Sequence, residues 1–218
     1  MIIKINGDIV PNDYKEMYEW FGMECATPAD VENALASMPE GDVAYVHINS
    51  GGGDVFSGQK IYTMLRSRKN VEIVVESIAA SAASVIAMAG HSAISPVGMV
   101  MIHNVSTVAA GNKNDLKKEA KVLDEFDNAL ASAYIEKTGK DRAEILALMD
   151  KETWLPANKA VELGFIDEIQ TSAGAAEGMV AAIGGLKVTE EMMSQFKAHK
   201  KCEEEKKKIL EDLEKFGA

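Results

Sequence analysis

The stretch V-E-I-V-V-E-S-I-A-A-S-A-A-S-V-I-A-M-A-G, residues 71–90, decides the fold of this chain. Its first part, residues 71–75, is rich in β-branched apolar residues and predicts a buried strand. Its second part, residues 79–90, is rich in alanine and serine and predicts a helix that ends at Gly90. Ser81 directly follows the junction of the two parts. We therefore expect a serine hydroxyl at a helix start, where unpaired backbone N–H groups favour nearby negative charge.

A second apolar run, residues 97–102, ends at His103. Serine and histidine are the residue types of a nucleophile and its general base, because an imidazole can take the hydroxyl proton. An ordinary structural explanation is also open at this point. Alanine and serine let a helix pack closely on a sheet, and a histidine at a strand end can simply belong to the core. The sequence before residue 71 helps to decide between a catalytic pair and ordinary core residues.

That upstream segment carries a glycine-rich turn between a strand and a helix. Residues 42–49 predict a central strand, S-G-G-G-D follows at residues 50–54, and a helix continues from Val55. Strand, turn, helix, strand and helix in this order are typical of parallel strands joined by right-handed crossovers. The turn lacks the spacings of phosphate-binding loops, so its glycines indicate that an extended partner or an oxyanion approaches the backbone closely. One turn with bare N–H groups beside one with a hydroxyl is suited to acyl transfer.

Length, charge and cysteine spacing exclude several classes of protein. The 218 residues suffice for one substantial α/β domain with some additional structure. The formal net charge of -11 disfavours binding to nucleic acid or to an anionic membrane surface. Cys25 and Cys202 stand far apart and predict free thiols, not a metal site. With no signal peptide or membrane span recognised, we expect a cytoplasmic protein without cofactor or metal.

Helical spacing and cap residues predict the remaining elements. A long helix is expected after Asn112 and is stopped by Gly139, and its apolar positions are Leu116, Ala120, Leu123, Phe126, Leu130 and Ala133. Further helices are predicted over residues 28–38, 141–149 and 156–163, and strands over residues 1–10 and 165–166. For residues 13–24, both a helix and irregular structure remain open.

The composition changes after Ile169. We predict one domain over residues 1–169, an Ala/Gly-rich linker over residues 170–187 and a charged helical tail over residues 188–218. The tail carries only a thin apolar stripe. It is interpreted as a solvated helix, with a docking segment as the alternative.

Four motifs carry a resemblance to a known family. They are I-N-S-G-G-G-D-V-F-S-G-Q-K-I-Y, S-I-A-A-S-A-A-S, V-M-I-H-N and A-V-E-L-G-F-I-D-E-I, which begin at residues 48, 77, 100 and 160. They resemble, in order, the signatures of the Clp protease proteolytic subunit (ClpP) family. Together they cover about residues 42–169. Within that family the sequence is most similar to the ClpP-related head-maturation (prohead) proteases of phages and prophages.

The resemblance implies an α/β fold: a ClpP/crotonase-like spiral of repeated β-β-α units with a long helix, making residues 1–169 a serine protease domain. It implies that Ser81 is the nucleophile and His103 the general base. It also implies that the N–H groups of Gly53 and Ala82 form the oxyanion hole.

For the acid of the implied triad, the sequence leaves two candidate residues. Alignment on the closing motif puts it at Glu152, and Asp150 is the alternative if the turn shifts. Glutamate can orient a triad histidine, since Ser-His-Asp and Ser-His-Glu triads both occur. A further departure from the family is Gly51, which stands where the family has proline and is expected to loosen the turn.

The resemblance implies a serine endopeptidase for protein or peptide substrates, assembled as a homo-oligomeric ring of seven or as two stacked rings. Residues 112–133 would form the helix at the ring–ring contact. A role in phage head maturation implies capsid or scaffold proteins as partners, in the bacterial host cytoplasm. No ATPase-docking features are recognised, so an unfoldase partner is not expected. Two alternatives remain: a non-catalytic assembly or scaffold member of the same fold, and a crotonase-type acyl-CoA enzyme.

Overall fold

The computed structural model describes residues 1–170 and 189–216. Its strands are β1 (Ile2–Ile9), β2 (Cys25–Ala26), β3 (Ala44–Gly53), β4 (Val71–Ala80), β5 (His91–Ile94), β6 (Met99–Ile102), β7 (Thr153–Pro156) and β8 (Glu168–Ile169). Its helices are α1 (Lys15–Trp20), α2 (Pro28–Ser37), α3 (Val55–Arg66), α4 (Ala82–Ala87), α5 (Lys113–Thr138), α6 (Arg142–Asp150), α7 (Ala157–Glu162) and α8 (Glu190–Phe216). A short 3-10 helix, Asn12–Tyr14, precedes α1.

The strands form one sheet in the order β2-β1-β3-β4-β5-β8, and all neighbours along this path are parallel. On the edge that faces away from β3, strand β4 pairs with two different strands. Its first half pairs with β5, and its last residues, Ile78 to Ala80, pair with β6. Strand β6 in turn pairs antiparallel with β7. The end of β4 therefore lies beside the strand that leads to His103.

The core lies between one face of the sheet and the helices that cross it. Alternate residues of β3 and β4 are buried there, among them Val46, Ile48 and Ile73, as are Ile61 and Leu65 of α3. Complete burial of such a side chain contributes about 1.5–3 kcal/mol. Because α4 is built from alanine, serine, valine and isoleucine and is buried throughout, it packs closely against α3 and β3.

The parallel α/β architecture agrees with the sequence analysis, but three predicted elements differ. The helix expected from residue 79 begins at Ala82, because β4 continues to Ala80 by pairing with β6. The strand expected at residues 165–166 is wrong. The N–H groups of Phe165 and Ile166 both hydrogen-bond the carbonyl of Ala160, which closes a turn after α7, and β8 follows at Glu168.

The third difference concerns α5. Of its predicted apolar positions, only Ala133 is buried, and the other buried apolar residues of the helix, Ala131 and Tyr134, also lie in its second half. Leu116 in the first half is 45% exposed, and Val122 is 39% exposed. The helix starts after Asn112 and stops at Gly139, as the sequence indicated; Asn112 caps its start, and Gly139 ends it in the left-handed conformation.

The first turns of α8 pack on α1. Phe196 is buried against Val10, Met17 and Tyr18, and His199 stacks on Trp20 with ring centroids 4.9 Å apart. The predicted linker falls almost wholly on residues 171–188, outside the described part of the chain. In the parts that the structure describes, no helix is both long and apolar enough to cross a membrane.

The start of α2 allows a test of how much helix capping contributes to stability. Thr27 Oγ1 accepts a hydrogen bond from Asp30 N, and the Asp30 side chain accepts one from Thr27 N. We expect Thr27→Ala to lower the free energy of unfolding by about 1 kcal/mol and Tm by about 2–4 °C. Differential scanning calorimetry measures both. The control is Ser37→Ala at the exposed end of α2, and equal Tm values for the two variants would contradict the capping role.

Candidate active site

Ser81 occupies a strained turn between β4 and α4. Its backbone has φ 54° and ψ -126°, a conformation that an L-residue adopts at a cost of about 1–3 kcal/mol. Hydrogen bonds on both sides hold it there. Ser81 N donates to the carbonyl of Met101 on β6 at 3.0 Å, and Ser84 N donates to the carbonyl of Ser81 at 2.9 Å. Backbone hydrogen bonds to β6 and to α4 therefore hold Ser81 in its strained conformation.

The glycine-rich turn after β3 lies against this turn. A Cβ on Gly52 would come within 2.7 Å of both the Ala80 carbonyl oxygen and Ser81 Cβ, and Gly52 has φ +100°. Gly53 has φ +144°, and a Cβ there would meet the backbone of Ile9 on β1. Two of the three glycines are therefore required by close backbone contacts within the chain, whereas the sequence analysis had predicted that they leave room for a partner or an oxyanion.

The Ser81 carbonyl accepts a hydrogen bond from the Ser84 side chain, which in turn contacts Tyr134. Ser84 Oγ donates to the Ser81 carbonyl at 2.7 Å, and the Tyr134 hydroxyl lies 2.7 Å from Ser84 Oγ. Because the Ser84 proton is already used, the Tyr134 hydroxyl donates to Ser84. Burial strongly raises the pKa of Tyr134, which keeps this hydroxyl protonated. Helix α5 thereby helps to fix the turn that carries Ser81.

His103 follows the last residue of β6 and faces Ser81. Its Nε2 lies 2.8 Å from Ser81 Oγ, within hydrogen-bond distance. Two residues later, Val105 N donates to Asp127 Oδ1 of α5 at 2.6 Å. The structure thus brings together the two residues that the sequence singled out first.

The two candidate acids lie near the histidine segment but have other partners. Glu152 has φ 49°, and its Oε1 accepts a hydrogen bond from the indole of Trp154 at 3.2 Å. Asp150 Oδ1 accepts one from Asn104 Nδ2 at 2.8 Å. Among the side chains that the structure describes, no carboxylate hydrogen-bonds a ring nitrogen of His103. The geometry therefore assembles Ser81 and His103 without joining either acid to them.

A cleft of about 70 Å³ opens beside Ser81. Gly53, Ala82 and His103 line it together with Ser81, and its apolar lining is Val55, Val85, Leu130 and Tyr134. Ala82 is the first residue of α4, so its N–H has no acceptor within the helix. The two residues predicted to stabilise an oxyanion therefore border the same cleft as the serine.

Sequence reasoning missed two residues that support the site, Asp127 and Tyr134. Both lie on the buried side of α5. The spacing of Leu123, Asp127, Ala131 and Tyr134 follows the helical period, so it places a carboxylate on an otherwise apolar face. A carboxylate at an apolar position of the helical repeat is the sequence feature that could have identified Asp127.

A serine hydroxyl hydrogen-bonded to an imidazole on a strained strand-to-helix turn is the arrangement of serine hydrolases that work by acyl transfer. Comparison with known proteins defines the family more narrowly. Residues 33–173 match the family model described as Clp protease. This match covers more than half of the chain, and the chain belongs to the Clp protease family.

Curated relatives agree with this assignment. An ATP-dependent Clp protease proteolytic subunit 1 of Protochlamydia amoebophila is 34% identical over 131 residues, which are 57% of this chain and 64% of that protein. A subunit of Bacteroides fragilis is 33% identical over 140 residues, 62% of this chain and 67% of that protein. One of Leifsonia xyli subsp. xyli is 30% identical over 168 residues, 73% and 85% respectively. The aligned region spans about two thirds of the first two.

The contact between the glycine turn and Ser81 can be tested by adding one methyl group. Gly52→Ala forces the Ala80–Ser81 backbone to move, and a displacement of about 1 Å can cost about 10²-fold in rate. We expect a loss of that size in the rate at which a fluorophosphonate labels the protein, measured by intact mass. Gly51→Ala is the matched control, because a Cβ there meets nothing within 4 Å. Equal rates for both variants would refute the close-approach argument.

Proposed function

We propose that this chain is a serine endopeptidase whose nucleophile is Ser81 and whose general base is His103. The observation that carries the proposal is the 2.8 Å contact between Ser81 Oγ and His103 Nε2 at a strained turn. Membership of the Clp protease family supports the reaction class. The glycine turn beside Ser81 supports acyl transfer, because a developing oxyanion needs bare N–H donors.

In the proposed reaction, His103 Nε2 takes the Ser81 proton as the oxygen attacks a peptide carbonyl. The N–H groups of Gly53 and Ala82 hold the resulting oxyanion, and losing one such donor typically costs about 10²–10³ in rate. His103 then protonates the leaving amine, and the acyl group stays on Ser81. A water molecule, deprotonated by His103, releases the acyl group and restores the serine.

Glu152 is proposed as the acid that orients His103, with Asp150 as the alternative. Glu152 would act after turning its carboxylate away from the Trp154 indole, whose hydrogen bond to it is long at 3.2 Å. Asp150 would have to release Asn104, which it holds at 2.8 Å. The weaker contact favours Glu152, since breaking it costs less.

The apolar lining of the cleft favours substrates with an apolar side chain next to the scissile bond. We also propose that the protein works as a homo-oligomeric ring, with the exposed Leu116 and Val122 of α5 facing another copy. A role in phage head maturation, with capsid or scaffold proteins as substrates, rests on the wording of the motifs and on the charged tail.

A non-catalytic assembly member of the family is the second candidate. The observation that favours it is the engagement of Glu152 and Asp150 with partners other than His103. A ring that assembles without a reactive serine would support this candidate.

Active-serine labelling separates the two candidates. We expect wild-type protein incubated with a fluorophosphonate to gain one adduct by intact mass, and Ser81→Ala to gain none, because Ser81 is the one serine among the described residues whose hydroxyl contacts an imidazole. Ser77→Ala is the control and should label like the wild type, since Ser77 bonds Asn49 and has no base. Labelling of Ser81→Ala would mean that another serine is the nucleophile. An unlabelled wild type would favour the non-catalytic candidate.

The acid is assigned by a matched pair of neutral variants. We expect Glu152→Gln to slow fluorophosphonate labelling strongly, by up to about 10⁴-fold, because the imidazole loses its orienting charge. Asp150→Asn should label within about threefold of the wild type, since Asn keeps a side-chain oxygen for Asn104. The reverse order of the two rates would assign the role to Asp150.

A further inference from the structure

The end of strand β1 is held from two sides, and on one side lies the turn that contains Gly53. In the parallel pairing of β1 with β3, Ile9 lies opposite Gly53, and Asp54 N donates a hydrogen bond to the Ile9 carbonyl at 2.8 Å. A Cβ on Gly53 would lie 2.2 Å from the same carbonyl oxygen. The position of Ile9 therefore determines the position of the Gly53 backbone, whose N–H is proposed to hold the oxyanion.

On its other side, this strand end is held by β2 and α1. Ile9 also pairs with Ala26 of β2, and Val10 N donates to the Ala26 carbonyl at 3.0 Å. The Tyr18 hydroxyl of α1 donates to Asp8 Oδ2 at 3.0 Å. Strand β2 has only two residues and lies at the edge of the sheet. Few backbone contacts fix it, so its position depends on side-chain packing.

The first turns of α8 contribute that packing. Phe196 is 8% exposed and shares an apolar cluster with Val10 and two buried side chains of α1. This cluster is separate from the main core of the domain. Because Val10 directly follows Ile9, the cluster that α8 covers ends one residue away from the residue that contacts Gly53.

Two further contacts join α8 to α1. His199 stacks on Trp20 with ring centroids 4.9 Å apart, and Lys200 Nζ lies 2.5 Å from Glu16 Oε2. The charged side chains are 49% and 61% exposed, so solvent screens their attraction. The apolar and aromatic contacts are therefore the main ones that hold α8 on α1.

The glycine turn depends on its neighbours because its own residues restrict it little. Residues 51–53 are three consecutive glycines, which have wide backbone freedom. A Cβ on the first of them, Gly51, would meet nothing within 4 Å. Strand β1 therefore has a larger share in fixing the Gly53 N–H than it would have beside a turn of residues with side chains.

The elements that hold the end of β1 lie outside the part of the chain that matches the Clp protease family. That match covers residues 33–173, whereas α1 and β2 precede it and α8 follows it. Ser81, His103 and the glycine turn lie inside it. The family model thus describes the reacting groups but not the contact between α8 and α1.

We propose that α8 is a positioning element of the peptidase: docked on α1, its Phe196 holds the end of β1, and β1 holds the Gly53 N–H where the oxyanion forms. The inference rests on the proposed function of Ser81. Phe196 touches neither substrate nor reacting atoms, and it acts through Val10 and Ile9. Release of α8 from α1 therefore slows acyl transfer while the main core, which has its own buried cluster, stays folded.

Phe196→Ala in the full chain tests this role, and Ile209→Ala is the matched control. Both variants remove a large apolar side chain from α8, but Ile209 is 60% exposed and lies thirteen residues beyond Phe196. The first measurement is the rate of fluorophosphonate labelling, by intact mass, at increasing reagent concentration. It separates the maximal labelling rate from the concentration that gives half of this rate.

The second measurement observes the turn directly by TROSY NMR. In protein made with glycine labelled with both ¹³C and ¹⁵N, an HNCO spectrum shows only amides that follow another glycine. These are the amides of Gly52, Gly53 and Gly185. A Gly185→Ala variant removes the third signal and so identifies the two signals of the turn.

We expect Phe196→Ala to lower the maximal labelling rate about tenfold, less than the about 10²-fold that a displacement of about 1 Å can cost. The half-saturating concentration should stay unchanged, because the apolar lining of the cleft stays in place. The amide signals of Gly52 and Gly53 should shift. Phe196→Leu keeps an apolar side chain in the cluster and should recover most of the rate. Ile209→Ala should match the wild type in both measurements.

Several results would overturn the inference. One is a wild-type labelling rate in Phe196→Ala, whether or not the amides of the turn shift, because the turn would then not depend on α8 or its movement would not affect the reaction. Another is an equal loss of rate in Ile209→Ala, because the effect would not require docking. A Phe196→Ala protein that does not fold would also overturn it, since α8 would then support the whole domain.

Failure of the proposed function has a different signature. An unlabelled wild type would remove the nucleophilic role of Ser81, while the amide signals of Gly52 and Gly53 in wild type and Phe196→Ala would still decide whether α8 positions the turn. Unshifted amides alongside equal labelling of both proteins would leave Ser81 as the nucleophile and assign α8 to structure alone.

Discussion

At Ser81 the chain turns from β4 into α4 with φ 54°, a conformation that is unfavourable for any residue with a side chain. It persists because the surroundings leave no alternative. Strand β6 holds the Ser81 N–H, Ser84 holds the carbonyl, and Gly52 fills the space where a larger residue would push the turn aside. The long parallel pairing of β3 with β4 places these groups, so the sheet supplies the free energy that maintains the strain.

The second half of α5 is the other part of this support. Its Tyr134 and Asp127 reach the two segments that meet at the cleft, one through a buried hydroxyl and one through a buried carboxylate. The two solutions differ in cost. A neutral hydroxyl that is fully hydrogen-bonded suits the core, whereas burying a carboxylate with acidic neighbours costs free energy.

Much of this arrangement follows from local sequence signals. The β-branched run and the small residues after it predicted the strand and the helix, and the triple glycine predicted a turn between β3 and α3, but not its close contact with Ser81. The extension of β4 to Ala80 was not predictable, because it depends on pairing with β6, which is distant in sequence. The orientation of Glu152 depends on a single side-chain contact to Trp154. The spacing of apolar residues along α5 predicts a buried face but not the carboxylate of Asp127 on it.

The separation of these contacts along the chain also determines when they form during synthesis. The bond between Ser84 and Tyr134 spans 50 residues, and that between Val105 and Asp127 spans 22. A nascent chain that has exposed Ser81 and His103 but not yet α5 lacks both supports, and non-local contacts of this kind form late in folding. Until α5 docks, the turn at Ser81 and the segment after His103 lack these two hydrogen bonds, so under the proposed function an unfinished polypeptide would not yet be an active peptidase.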